Sequence, residues 1–143
     1  MTTDMAFMIL ARNESGRSKD PTTKVGAVIV DVCGEFISSG HNAFPCGVVE
    51  DERLHDRKLK NEIVVHAEPN AILLAERDLR GATIYVTHTP CCRCAGLIIQ
   101  AGIKRVVTNP PSPEFLERWG ESLKLTRNLF AEAGVVYFEL NRE

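Results

Sequence analysis

A chain of 143 residues with 44% apolar and 25% charged residues can bury one real core and is too apolar to stay disordered. Its net charge of −2 gives no basic excess with which to hold a nucleic-acid backbone, so nucleic acid is not an expected main partner. The longest apolar runs, VGAVIV and GLIIQAG, are too short to cross a bilayer, and the N-terminal stretch turns polar before it could be a cleaved signal. The expectation is therefore a soluble, cytoplasmic, single domain over residues 1–143, with no membrane partner.

Apolar positions at Met5, Met8, Ile9 and Leu10 predict a first helix ending near Gly16. The stretch SKDPTTK (18–24) reads as a loop shaped by Asp20-Pro21, and it leads into the strand VGAVIVD. DVCG (31–34) closes a hairpin with VCGEFISSGHN, which makes at least one strand pair antiparallel. Helices are expected over 67–79 and 91–101, and a long amphipathic one runs from about Pro113 to Ala133, with Phe115, Trp119, Leu123 and Phe130 near helical spacing. Between and after them, ATIYVT, RVVT and VVYFEL read as strands that are apolar on both faces, so helices must cover the sheet on both sides. The fold expected is a three-layer α/β/α sandwich with a mixed sheet of about five strands. NPPSPE (109–114) is a proline-rich loop, and no internal repeat, low-complexity tract or domain linker is visible.

Five cysteines is an odd number, and three of them fall within residues 91–94. That clustering suits metal ligation in a reducing compartment better than a disulfide framework, with Cys33 and Cys46 left as core or loop residues. Pro90 precedes CCRCAGLIIQAG, whose apolar spacing is helical and whose Gly102 suits a C-terminal cap, so Cys91 and Cys94 fall on one face of a first helical turn. There the unbonded backbone N–H groups and the helix dipole favour thiolates. His66 opens its own helix in VVHAEPNAILLAE (64–76), where Pro69 is tolerated because first-turn N–H groups lack partners anyway. Two thiolates and one neutral imidazole balance Zn²⁺ and leave one position open, the pattern of a catalytic rather than a structural zinc site. Glu68, two residues beyond His66, is placed to take a proton from a water that zinc has acidified to a pKa of about 7. HxE followed by PCxxC is the signature of zinc deaminases. Cys92 points away from the Cys91 and Cys94 face, and His55 and His88 read as ordinary polar residues, His88 at a pocket edge if anywhere.

With these motifs in view, the chain resembles the zinc-dependent cytidine and deoxycytidylate deaminases along nearly its whole length. The stretches that carry the likeness are SKDPTTKVGAVIV, GHNAFPCG, VVHAEPNAIL, GATIYVTHTPCCRC and LIIQAGIKRVV, and they are most similar to members acting on deoxycytidylate, dCMP. The resemblance implies hydrolysis of dCMP to dUMP and ammonia, a supply of dUMP for thymidylate synthesis, with His66, Cys91 and Cys94 as zinc ligands and Glu68 as proton shuttle. It further implies that Asn42 faces the sugar side of the nucleotide, that Ser18, Lys19 and Lys24 lie toward the phosphate, and that Phe44 forms a wall of the pocket. A homo-oligomer is expected on the same ground, with Phe115, Trp119 and Phe130 of the last helix as its surface. Where many relatives read Tyr-Asn-Gly this chain has His41, Asn42 and Ala43, and Cys46 precedes the next glycine, so regulation by deoxycytidine triphosphate is not carried over. The alternatives are a deaminase of another cytosine nucleotide or base, or of adenosine in transfer RNA, and a zinc-stabilised binding module without turnover. The acidic VEDERLHD stretch argues against the transfer-RNA substrate, and Glu68 beside an open position argues against the binding module.

Overall fold

The computed structural model describes residues 1–140. Helix α1 (Thr3–Ser15) is followed by the hairpin β1 (Gly26–Val30) and β2 (Phe36–His41), a 3-10 turn at Glu52–His55, and helices α2 (Arg57–Ile63) and α3 (Ala67–Ala75). Strand β3 (Thr83–Val86), helix α4 (Cys92–Gln100), strand β4 (Arg105–Thr108), helix α5 (Pro113–Ala133) and strand β5 (Val136–Glu139) complete the order. The five strands form one mixed sheet in the order β2-β1-β3-β4-β5. Strand β1 is antiparallel to both of its neighbours, and β3, β4 and β5 run parallel.

Alternation along the strands sorts the core into two layers, because successive side chains point to opposite faces. Ala27, Ile29, Ile84, Val86 and Val106 meet Ala67, Ala71, Ala95, Ile98 and Phe130 of α3, α4 and α5 on one side. Val28, Val30, Tyr85 and Val107 meet Met8 and Ala11 of α1 on the other. The three-layer sandwich is therefore present but unequal. One helix covers one face and three cover the other, as parallel strands joined by α4 and α5 and stepping in one direction require.

That inequality corrects the reading of VVYFEL as a strand with two covered faces. Tyr137 turns toward Phe130, but Val136 and Phe138 are 59% and 41% exposed, because α1 does not reach the edge of the sheet where β5 lies. The helix expected over 67–79 also stops early. Glu76 adopts a left-handed conformation (φ 50°), and the chain turns back so that Leu79 enters the core. The 3-10 turn and α2 are elements that sequence reading did not find.

Two glycines set the spacing between helices and sheet. A Cβ on Gly26 would lie 1.9 Å from the carbonyl oxygen of Ala11, so only glycine lets α1 settle on β1. A Cβ on Gly40 would lie 2.5 Å from the backbone N of Ala71 and 2.7 Å from the carbonyl oxygen of Ala67, so β2 and the first turns of α3 touch backbone to backbone. Helix α1 is anchored at its start. The Asp4 carboxylate accepts two hydrogen bonds from the Arg105 guanidinium, at 2.9 and 2.6 Å, and one from the Tyr85 hydroxyl at 2.7 Å.

Candidate active site

Two helix starts meet beyond the end of β3. His66 is the N-cap of α3 and Cys91 the N-cap of α4, and neither side chain caps its own helix. An N-cap side chain normally accepts a hydrogen bond from the backbone of the first turn, so these two are free for other work. Cys94, one turn into α4, is buried at 3% exposure, and Glu68 in the first turn of α3 is buried at 4%. Thr126 of α5 donates its hydroxyl proton to the Pro90 carbonyl at 2.9 Å, which pins the residue before Cys91.

The metal-type donors of His66, Cys91 and Cys94 all lie within 4.8 Å of one another, and Glu68 is not part of that group. His66 Nδ1 is 3.3 Å from Cys94 Sγ and 3.7 Å from Cys91 Sγ. With ordinary Zn–S and Zn–N bond lengths, a tetrahedral ion spaces N and S ligands about 3.6 Å apart, so these edges fit zinc without rearrangement. The donor chemistry agrees with the spacing. The neighbouring Cys94 thiol holds Cys91 down to about 3, and Cys91 in turn pushes Cys94 up and raises His66. Two thiol sulfurs and one imidazole nitrogen converging on one point are a zinc-type donor set. Burial pushes the Glu68 carboxyl up to about 7. Cys92 lies outside the donor group.

A cavity of about 710 Å³ opens onto His66, Glu68 and Cys91. Asn42 lies on its wall, as do Asp20, Thr22, Thr23, His55 and Lys60. From the opposite side of the sequence, α5 contributes Phe115, Arg118, Trp119 and Leu123. His88 also lines it, and burial lowers its pKa below the ordinary imidazole range.

The remaining expected contacts fall elsewhere. Ser18 is buried, donating to the Asn42 carbonyl at 2.9 Å and accepting from the Asp20 N–H at 3.2 Å, so it supports the wall from behind. Lys19 is exposed and not on the cavity wall. Lys24 donates to the Ser18 carbonyl and lines a smaller cleft of about 370 Å³ with Arg12, which shares His88, Thr89 and Phe115 with the main cavity. Phe44 is buried beneath the Arg53 guanidinium, whose carbon sits 5.7 Å from the ring centroid, and it is not on the cavity wall. Asn42 donates to the Thr23 carbonyl at 2.9 Å and accepts from the Val25 N–H at 2.9 Å, leaving one carbonyl lone pair for a ligand. Asp20, Lys60 and Arg118 were not found by sequence reading. In sequence, Asp20 reads only as a loop-shaping residue before Pro21, and Lys60 and Arg118 offer no signal beyond charge, which by default means a solvated surface. Phe115 and Trp119 were noticed for their helical spacing, and the structure turns them to the cavity and Phe130 to the core.

Comparison with known proteins agrees with this geometry. Residues 1–109 match the family model of the cytidine and deoxycytidylate deaminase zinc-binding region. The chain is 43% identical over 129 residues to the uncharacterized deaminase of the luxG 3' region of Aliivibrio fischeri, covering 90% of this chain and 87% of that one. It is 39% identical over 140 residues to deoxycytidylate deaminase of Homo sapiens, covering 92% of this chain and 75% of the human one. Its fold matches the crystal structure of dCMP deaminase from the cyanophage S-TIM5 in complex with dCMP and dUMP, with a TM-score of 0.75, 25% identity, and coverage of 98% and 99% of the two chains. The fold, the donor group and the extent of these matches together establish that the chain belongs to the cytidine and deoxycytidylate deaminase family with its zinc-binding region.

Proposed function

We propose that the protein hydrolyses dCMP to dUMP and ammonia, with His66, Cys91 and Cys94 holding zinc and Glu68 moving the protons. The observation that carries this reading is the placement of a buried carboxyl, outside the three-donor group, on the wall of a nucleotide-sized cavity. When bound, zinc supplies a Lewis acid that brings the pKa of a water to about 7. Glu68 takes a proton from the attacking water and delivers it to N3 of the cytosine as the new C4–O bond forms. It then takes the remaining proton from the new C4 hydroxyl and hands it to the 4-amino group, so that the C4–N bond breaks, the C4 carbonyl forms and ammonia leaves. Phe115 and Trp119 offer flat apolar surface to the base, and the free lone pair of Asn42 accepts from a sugar hydroxyl. The relatives named for deoxycytidylate support dCMP as the substrate.

A purely structural zinc site needs a fourth protein ligand, and among the described residues the donor group has three. Ammonia release across cytosine, cytidine, CMP, dCMP, dCTP and a transfer-RNA anticodon stem tests the reading. Preference for dCMP is the expected result, and no turnover of any cytosine compound by zinc-loaded protein overturns it.

The same proposal includes a cytoplasmic location, since all five cysteines are unpaired, and a single deaminase domain over residues 1–143. Among the described residues no helix is long and apolar enough to cross a membrane. A homo-oligomer is also proposed; of the expected α5 surface Phe130 is buried in the core, while Phe115 is half-buried and Trp119 is 47% exposed. Leu73 and Leu74 of α3 and Leu97 of α4 are 71%, 64% and 49% exposed on the two helices that carry the metal donors. A monomer in sedimentation at micromolar concentration contradicts it.

A further inference from the structure

We propose that Lys60 is a positioning residue for the nucleotide, holding the 20–23 loop against α2 so that the cavity wall carrying Asn42 keeps its shape. The inference rests on the deaminase reading for the nature of the ligand. Lysine is almost never fully buried unless it is paired, and Lys60 is 6% exposed. Its ammonium donates to Asp20 Oδ1 at 3.1 Å and to Thr22 Oγ1 at 3.0 Å, which uses two of its three protons.

Asp20, itself buried, is the hub of the loop. The same Oδ1 accepts from the Thr22 N–H at 2.9 Å and the Thr23 N–H at 3.0 Å, while Oδ2 lies 3.5 Å from Asn42 Nδ2. Burial alone would push this carboxyl up, but the Thr23 and Thr22 N–H groups and the Lys60 ammonium outweigh it and hold the carboxyl below its usual range. Asp20, Thr22, Thr23, Asn42 and Lys60 all line the main cavity. The ion pair thus joins two walls that are 40 residues apart in sequence, and one of them, α2, leads directly into His66. Stability is a weak reason for it, because a buried ion pair can often be replaced by well-packed apolar side chains without loss.

The test compares Lys60→Met and Asp20→Asn/Lys60→Met with the wild type, each zinc-loaded, on whichever cytosine nucleotide the wild type turns over best. Lys60→Met should raise KM at least tenfold and leave kcat within about threefold, since the proton-moving and metal-holding groups are untouched. Lys60→Met also strands the Asp20 charge and lowers the melting temperature. The double variant removes that charge, so it should recover melting temperature while KM stays raised, and it serves as the test if the single variant does not fold. A Lys60→Met KM within twofold of wild type, or a double variant in which KM returns to normal together with stability, overturns the inference. A wild type that releases ammonia from no cytosine nucleotide overturns the deaminase reading instead.

Discussion

Replacing Gly40 by alanine adds one methyl group where β2 and α3 meet backbone to backbone. The new Cβ would sit 2.5 Å from Ala71 N and 2.7 Å from Ala67 O, against an ordinary contact distance of 3.4 Å or more. Backbone in a helix cannot yield as a flexible side chain can, so α3 must move away from the sheet by roughly 0.7–0.9 Å. Overpacking of this kind costs about 1–3 kcal/mol, set against the ~0.5–1 kcal/mol that alanine gains over glycine inside a strand, for a net loss of about 0–2.5 kcal/mol. The displaced helix is preceded by its N-cap His66 and carries Glu68, and a shift near 1 Å at a reacting group can cost about 10²-fold in rate. Gly120→Ala is the control. It lies inside α5 with nothing within 4 Å of its Cβ, and should gain about 0.5–1 kcal/mol from helix propensity alone. Urea unfolding and initial rates of ammonia release measure both variants. A Gly40→Ala protein with wild-type stability and rate would show that the close approach of β2 and α3 has been misread.

Further outcomes follow from the same contacts. Cys94→Ala should abolish stoichiometric zinc binding, whereas Cys92→Ala should leave it intact; metal analysis after dialysis decides, and full zinc in the Cys94 variant removes Cys94 from the ligand set. The Arg105 guanidinium holds the Asp4 carboxyl below its usual range, so the pair's contribution is fully present above the unfolded carboxylate pKa of about 3.9 and is lost as pH falls through the lower folded value. Asp4→Asn should therefore cost about 1–2 kcal/mol at pH 7, and the gap to wild type should narrow below about pH 4. Urea melts at several pH values measure that gap, and a difference that grows on acidification contradicts the sign.

What could be read in advance was local. His66-x-Glu68 and Cys91-x-x-Cys94 are legible because helix geometry alone puts each pair on one turn, and the limits of α5 because Ser112, Pro113 and Gly134 mark its start and stop chemically. The mixed sheet followed from one hairpin signal, the turn in which Asp31 accepts from the Cys33 and Glu35 N–H groups. The unread parts depend on partners distant in sequence. VVYFEL looks like a doubly covered strand until its place at the sheet edge, beyond the reach of α1, is known. Helix α2 is seven residues long and mostly charged, and the one side chain that buries it deepest, Lys60, finds its counter-charge 40 positions upstream. No periodicity announces such a pair.

The central claim is that Glu68 moves protons beside a zinc it does not bind, and Glu68→Gln tests it with one comparison. Glutamine keeps the shape of the side chain and cannot shuttle a proton, so ammonia release from dCMP should fall by at least about 10²- to 10⁴-fold in kcat. Zinc stoichiometry, melting temperature and dCMP affinity should stay close to wild type, because Glu68 stands outside the donor group. Turnover near the wild-type rate would contradict the proton-shuttle mechanism, and loss of zinc would make Glu68 a ligand instead.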